Sequence, residues 1–181
     1  MQNEITTRQP LLDAQGNIAN PGYAKKLLWE YNRENITANP TRIKEWDYYY
    51  IGCDEHALCL TVADMGYVGA LSISVIDFVT PSQFTNSSIF FFPMGKLKMP
   101  RTTEYGDVSW RNGKTEMTFT CDGKIRHLTG KFYNADKKGH DVKFDVTLSD
   151  FPEESMVIAT PFDKKGYFYY LSLIHISEPT R

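Results

Sequence analysis

The sequence predicts a mainly β fold built as an antiparallel meander, and three observations carry this prediction. Apolar and polar side chains alternate with a period of two along several segments, as in strands with one buried face. Asn112-Gly113 and Asp122-Gly123 are typical of two-residue hairpin turns, because both dipeptides tolerate positive φ angles. Aromatic residues, which favour strands, make up 14% of the chain. A succession of short strands joined by hairpins indicates a sandwich or a barrel, the latter either closed or open and incomplete.

The predicted elements follow one another along the chain without an internal repeat. Residues 1–40 are predicted to form an N-terminal arm, in which residues 23–32 fit either an extended segment or a short helix. Residues 41–170 are predicted to form the antiparallel domain, with a loop over residues 80–86. The predicted strands are 42–51, 57–63, 67–78, 89–92, 108–111, 115–121, 124–133, 141–149, 156–160 and 167–170.

Composition excludes several classes of protein. The formal net charge is −2, so the chain lacks the positive charge that is typical of a nucleic-acid binder. The three cysteines show no CxxC spacing, so neither a disulfide framework nor a metal site is expected. The N-terminus lacks the apolar core of a signal peptide, and no apolar run reaches membrane-spanning length. We therefore expect a cytoplasmic protein with no membrane span, no nucleic-acid partner and no cofactor.

Residues 171–181 are predicted not to belong to the natural protein. They read Leu-Ser-Leu-Ile-His-Ile-Ser-Glu-Pro-Thr-Arg, which resembles the one-frame translation of a transposase recognition end joined to a sequencing-library adapter. Such added segments must be set aside before the fold is considered. The alternative is a natural terminal strand followed by a polar end. With the adapter interpretation, the natural sequence stops at Tyr170 within an apolar aromatic run, and we expect the domain to be truncated at its C-terminal end.

A series of short motifs runs in order along residues 10–100. The longest is Arg42-Ile43-Lys44-Glu45-Trp46-Asp47-Tyr48-Tyr49, and the others lie at residues 10–13, 20–24, 61–67, 92–95 and 98–100. Together they resemble domain-of-unknown-function family 2804, an uncharacterised and mostly bacterial family. Members of that family continue well beyond the point where this chain stops, which implies that the chain is an N-terminal fragment. The family is similar in fold to lipocalin-like double-barrel proteins such as the hydroxyneurosporene synthase group, which implies a lipocalin-like barrel.

The segment that begins at Arg42 supplies the predicted ligand-binding residues. Side chains alternate between the two faces of a strand, so Asp47 is expected to lie on the other face from Trp46 and Tyr48. The predicted ligand-binding residues, as part of a barrel wall of cations and aromatic rings, are Arg42, Lys44, Trp46, Asp47 and Tyr48. The alternative is a structural set of ion pairs at the barrel rim, with Arg42 paired to Asp47 or Asp64 and Trp46 packed in the core.

Asp64 and Asp77 end two neighbouring predicted strands and are the candidate catalytic residues. Either carboxyl group could act as a general acid if burial raised its pKa. The alternative is that each accepts hydrogen bonds from turn amides, which is common for Asp at the end of a strand. The same two strands carry a face of small side chains: Ala57, Cys59, Thr61, Ala63, Ala70, Ser72 and Ser74. This face either leaves room for a ligand or is filled by aromatic side chains.

These observations lead to three hypotheses of function. The first is a lipocalin-like binding module that holds a small apolar, isoprenoid- or lipid-like molecule. The second is an enzyme of hydratase or cyclase type that acts on such a chain, with Asp64 or Asp77 as the acid. The third is a structural protein without a ligand. An enzyme should place a desolvated carboxyl group in its cavity, whereas a carrier can leave the cavity apolar.

Overall fold

A computed structural model describes residues 3–136, 138–149, 151–163 and 166–172. Within these ranges the chain forms thirteen strands and two short 3-10 helices, Arg33–Asn35 and Pro40–Arg42, and contains no α-helix. The predicted mainly β class is therefore confirmed. None of the described segments is a helix with the length and apolar character needed to cross a membrane.

The strands are numbered in chain order, and the chain divides into two compact units. The bounds are β1 Gln9–Pro10, β2 Gly22–Ala24, β3 Trp29–Glu30, β4 Glu45–Gly52, β5 His56–Asp64, β6 Val68–Asp77, β7 Ser82–Phe91, β8 Val108–Asn112, β9 Thr115–Cys121, β10 Arg126–Phe132, β11 Val142–Leu148, β12 Met156–Pro161 and β13 Tyr167–Ser172. The first unit comprises Met1–Thr37, Arg101–Thr103 and Leu148–Arg181, and the second comprises Ala38–Pro100 and Glu104–Thr147.

The first unit contains a three-stranded sheet in the order β13-β12-β2 and a short parallel pair of β1 with β3. Its core contains Trp29, whose ring lies edge-on to Tyr169 with 6.2 Å between centroids. The other buried core residues are Ile5, Leu11, Leu12, Ile18, Ala24, Val157 and Ala159. Residues 23–32 are extended or irregular and not helical. This unit combines residues of the predicted N-terminal arm with residues of the predicted β domain, because the N-terminal residues share a core with β12.

The second unit begins with an antiparallel meander of four strands, β4-β5-β6-β7, here called the first sheet. Neighbouring strands pair in continuous register, so that Tyr49 lies opposite Leu60 and Leu60 opposite Ile73. The centre of one face of this sheet is buried, with Leu60 and Leu71 at 0% exposure. The period-two alternation of β4, β5 and β6 therefore predicted both the strands and their antiparallel order correctly.

β7 is longer than the sequence predicts. The loop predicted over residues 80–86 is wrong, since β7 begins at Ser82 and pairs with β6 up to Phe91. The polar side chains that suggested a loop make cross-strand contacts instead, as in the hydroxyl pair of Ser74 and Thr85 at 2.8 Å. Pairing with a neighbouring strand thus overrides the weak strand propensity of this segment.

The remaining strands of the second unit form the second sheet, in the order β11-β10-β9-β8. Both predicted hairpins exist, but their loops differ from the prediction. Asn112 pairs with Thr115, so the first loop consists of Gly113 and Lys114 and not of Asn112-Gly113. The second loop spans the four residues 122–125, since Cys121 pairs with Arg126.

The buried faces of the two sheets pack against each other within the second unit. Tyr49 meets Phe119 with 5.1 Å between ring centroids, and Phe90 stacks on Trp110 at 5.4 Å. Gly69 provides the space for the Phe90 ring, because a Cβ atom at that position would overlap it. The sheets do not join by strand pairing in the described residues, so the second unit consists of open sheets and not of a closed barrel.

Candidate functional site

The face of the first sheet that points away from the core, here called the outer face, carries its side chains in ordered rows, three of which include an aromatic ring of β4. Residues directly opposite each other in an antiparallel pair point to the same side of the sheet. The register across β4, β5, β6 and β7 therefore defines the rows. The three rows with an aromatic ring are Trp46, Ala63, Ala70 and Ile89; Tyr48, Thr61, Ser72 and Ser87; and Tyr50, Cys59, Ser74 and Thr85.

These rows form a shallow trough. The aromatic side chains of β4 stand along one edge, and their exposed fractions are 43% for Trp46, 55% for Tyr48 and 57% for Tyr50. Ile89 of β7 stands on the opposite edge and is 59% exposed. The two central strands supply only small side chains between these edges. The small side chains form the floor between these edges, and part of that floor is covered, since Ala63 is only 6% exposed.

Hydrogen bonds and close packing hold the aromatic edge in place. A hydrogen bond between the Tyr48 hydroxyl and Cys59, reinforced by burial, raises the pKa of Tyr48 to about 12. The Tyr48 ring thus leans over the floor of the trough towards β5. The Tyr50 ring lies over Gly52, since a Cβ atom there would be 2.8 Å from the Tyr50 hydroxyl. Any larger residue at position 52 would displace the Tyr50 ring.

The predicted ligand-binding residues divide between two surfaces. Trp46 and Tyr48 lie on the outer face, and the exposed Lys44 and Arg42 precede them in the chain. Asp47 lies on the opposite, inward-facing side of β4, as the alternation predicts. The alternative of Trp46 packed in the core is wrong, because its side chain is 43% exposed. The structure therefore places Trp46 and Tyr48 on one side of β4 and Asp47 on the other, with Arg42 and Lys44 exposed before the strand begins.

Asp47 belongs to a polar cluster on the inner face, together with Tyr49 and Arg126. The guanidinium of Arg126 donates a hydrogen bond to the Tyr49 hydroxyl at 3.1 Å and lies over the Tyr49 ring. Burial raises the pKa of Asp47 to about 6, the positive charge of Arg126 opposes this shift, and Glu45 adds to it. Burial, followed by the charge of Asp47, also raises the pKa of Tyr49.

Asp64 is fully buried, and backbone amides occupy both of its carboxylate oxygens. Gly66 donates to one oxygen at 3.0 Å, and Gly95 donates to the other at 2.6 Å. Gly66 adopts a φ of +81°, and a Cβ atom there would overlap the Thr41 carbonyl group, so the tight turn requires glycine. Asp64 thereby ties the β5–β6 turn to the loop after β7, as the structural alternative predicts.

Asp77 also accepts hydrogen bonds from turn amides. Its carboxylate receives the amides of Val79 and Thr80 at 2.9 and 2.8 Å, at the end of β6. His56 lies across the strand pair, 4.0 Å from the other carboxylate oxygen. The carboxyl group with a pKa near neutrality is instead that of Asp47, a residue that the sequence pattern associates with ligand binding.

Sequence reasoning missed Arg126 and the apolar edge formed by Ile89. Arg126 shares a strand face with Leu128, and both are buried, so the alternation of β10 contained the signal that this arginine points inward. Ile89 could not be placed on the trough, because the composition of residues 80–86 predicts a loop at the start of β7.

Side chains fill the space between the two sheets at its centre. Leu60, Leu71, Met117 and Leu128 are each 0% exposed. In the described residues, no group of three His, Cys, Asp or Glu side chains is placed to hold a metal ion. The exposed aromatic side chains of the outer face therefore lie outside the filled core of the second unit.

Comparisons with known proteins identify the family. No curated protein and no solved structure matches the chain. The family described as domain of unknown function (DUF2804) matches residues 2–176, which includes part of the segment predicted to be adapter-derived. The resemblance found in the short motifs is thereby confirmed. Since the match covers nearly the whole chain, the protein belongs to the domain of unknown function family DUF2804.

Proposed function

We propose that the protein binds a small apolar, isoprenoid- or lipid-like molecule on the outer face of its first sheet. The observation that carries this proposal is the edge of exposed aromatic rings along β4, which lies beside a floor of small side chains. Large exposed apolar patches on a protein surface mark sites of interaction. A ligand in the trough would remove Trp46, Tyr48 and Ile89 from water without displacing the filled core.

The dimensions of the trough suit one short chain. Neighbouring strands lie about 4.8 Å apart, so the four strands span about 14 Å across the rows. Successive rows are two residues apart, about 7 Å, so the three rows extend about 14 Å along the strands. An isoprenoid chain of a few units could therefore contact all three rows. This location differs from the interior of a lipocalin-like barrel, where the fold analogy places a ligand.

The polarity of the trough restricts the kind of molecule it accepts. The first row contains only apolar side chains, whereas the other two carry neutral hydroxyl groups. Two of these hydroxyls already pair with β7, Ser72 with Ser87 and Ser74 with Thr85, each at 2.8 Å. The floor is therefore neutral and mostly self-satisfied, which favours contact with a hydrocarbon chain over recognition of a charged group.

Calorimetric titration with farnesol, an isoprenoid alcohol, tests the proposal. We expect measurable binding to the wild-type chain and a loss of affinity of about tenfold or more in Trp46→Ala/Tyr48→Ala, because buried aromatic rings contribute most of the apolar contact area. Tyr105→Ala is the matched control, since Tyr105 is 64% exposed and lies outside the rows. Equal affinity of the double variant and the control variant would contradict the proposal.

The enzyme hypothesis stays a prediction, and Asp47 supports it better than Asp64 and Asp77 do. Turn amides engage the carboxylates of Asp64 and Asp77. Asp47 is half-buried on the inner face, and desolvation there raises the pKa of its carboxyl group to about 6, so part of it holds a proton just below neutrality. It lies on the inner face of β4 and not in the trough, so binding on the outer face does not require it.

A further inference from the structure

One end of the first sheet combines exposed apolar side chains with positive charge. The chain reaches this end three times, at the start of β4, at the β5–β6 turn and at the end of β7 with the loop that follows. The three segments are residues 42–46, 65–68 and 89–98, which are here called the basic end. Hydrogen bonds hold the loop after β7 against the turn, with Met94 donating to Gly66 at 3.1 Å and Phe92 to Tyr67 at 2.9 Å.

The apolar side chains of the basic end are unusually exposed. Phe91 is 73% exposed, Phe92 57% and Tyr67 54%. Trp46, Ile89 and Met94 extend the same apolar surface. Phe92 and Met94 adopt positive φ angles of 55° and 45°, which bulky residues rarely do. The loop therefore holds its apolar side chains outward in a defined, strained conformation.

The exposed charge of the basic end is almost entirely positive. Its segments contain four cations, Arg42, Lys44, Lys96 and Lys98, and one carboxylate, Glu45, which lies on the inner face of β4. Asp64 lies beside these segments, but it is fully buried and its carboxylate accepts the Gly66 and Gly95 amides. All four cations are exposed. The ion pairs found among the described residues include none of these four cations. Their charges are thus available to a negatively charged partner.

The opposite end of the same sheet has the reverse charge. Its turns, residues 52–56 and 77–83, contain Asp54, Glu55 and Asp77 and no Lys or Arg. The sheet therefore has a charge gradient along its strands. A negatively charged surface would attract one end and repel the other, which would fix the orientation of the protein on that surface.

We propose that the basic end docks on an anionic lipid surface, with the aromatic side chains entering the interface and the four cations facing the lipid headgroups. Phe and Trp side chains favour the boundary between headgroups and acyl chains, and each Lys or Arg near an anionic leaflet strengthens binding. Trp46 belongs both to the basic end and to the trough, so docking would place the trough beside the bilayer. The inference goes beyond the binding of a soluble ligand and does not depend on it.

Co-sedimentation with vesicles tests the inference. We expect the chain to pellet with vesicles of phosphatidylcholine and phosphatidylserine, to stay in solution with phosphatidylcholine alone, and to be released by high salt. Lys96→Gln/Lys98→Gln should lower the partition coefficient by roughly tenfold or more, since each lost cation costs about fivefold. Phe91→Ser/Phe92→Ser should also lower it while leaving the salt dependence in place.

Two controls separate this surface from general attraction. Lys143→Gln removes a cation from the second sheet, and Val79→Ser removes a side chain that is 67% exposed at the opposite end of the first sheet. Both control variants should pellet like the wild-type chain. Equal pelleting with and without phosphatidylserine, no pelleting at all, or equal losses in the control variants would overturn the inference. Farnesol binding without vesicle binding would reject this inference and leave the proposed function standing.

Discussion

The outer faces of the two sheets in the second unit follow the same alternation but carry opposite chemistry. On the first sheet, the outward positions of β4 are aromatic and more than two-fifths exposed, as Trp46 at 43% illustrates. On the second sheet, the outward positions are charged or hydroxylated and paired with each other. His127 lies 2.6 Å from Asp145, and the hydroxyls of Ser109 and Thr118 are 2.8 Å apart.

The difference teaches that solvation alone explains only the second sheet. A sheet with one buried face needs only polar side chains on its other face, and the second sheet has them. The aromatic side chains of β4 in the first sheet go beyond this need, since they leave apolar surface in water that folding does not bury. The aromatic outer face is therefore the face for which we propose binding, whereas solvation accounts for the polar outer face of the second sheet.

The largest expected effect separates the inner face of the first sheet from its outer face. Leu71→Ala should lower the free energy of unfolding by about 2–5 kcal/mol, because Leu71 is 0% exposed and its removal leaves a cavity. Tyr48→Ala on the outer face should cost about 1 kcal/mol or less. Urea unfolding followed by circular dichroism measures both values. Similar losses of unfolding free energy in the two variants would mean that the aromatic side chains of β4 stabilise the fold. The basis for proposing that they bind a ligand would then be removed.

The next effect concerns the inner polar cluster and its dependence on pH. The pKa of Asp47 is about 6 in the folded chain, against an ordinary value of 3.8. The folded state thus binds this proton more tightly than the unfolded state, so the stabilisation is complete below about pH 4 and is lost as the pH rises through about 6. Between pH 4 and 7, the wild-type chain should lose up to about 3 kcal/mol relative to Asp47→Asn.

Unfolding titrations at several pH values check this expectation. Asp54→Asn serves as the control, because Asp54 is an exposed residue of the β4–β5 turn that lies outside the inner cluster. If the free energy of unfolding changes with pH in the same way for Asp47→Asn and for the wild-type chain, Asp47 is solvated in the folded chain and the inner cluster does not shift its pKa.

The smallest effect tests the polar outer face. The contact between His127 and Asp145 is exposed on both sides, with side-chain exposures of 46% and 75%. An exposed ion pair of this kind contributes about 0.2–1 kcal/mol, and less at high salt. A double-mutant cycle with His127→Ala and Asp145→Ala measures the coupling. A coupling well above 1 kcal/mol would show that the second sheet depends on its outer charges for more than solubility.

The central strands are predictable from the sequence because their alternation is regular. In β5 and β6, the alternation places Leu60 with Val62 and Leu71 with Ile73 on apolar strand faces, and all four side chains are buried in the structure. The first part of β7 escaped prediction because its outward residues include Ser and Thr, whose strand conformation depends on partners across the sheet. Only the paired strand β6 supplies that information.

The candidate site was predicted in part, and the reason is geometric. Period-two alternation placed Trp46 and Tyr48 on a common face, but it could not show whether that face was the core side or the outer side. The same limit applies to Arg126, whose inward direction depends on how β10 packs against Tyr49. The strand-end position of Asp64 was clear from the sequence, but its bond to the Gly95 amide joins residues 31 positions apart.

The most direct test of the central claim is a side-chain NMR titration with farnesol. Methyl resonances report the two faces of the first sheet separately, because Ala63, Ala70 and Ile89 lie on the outer face whereas Leu60 and Leu71 lie in the core. We expect shift changes and contacts between farnesol protons and the methyl groups of Ala63, Ala70 and Ile89, with the core methyl groups unchanged. Contacts to Leu60 and Leu71 in place of the outer methyl groups would put the ligand inside the protein and contradict the account.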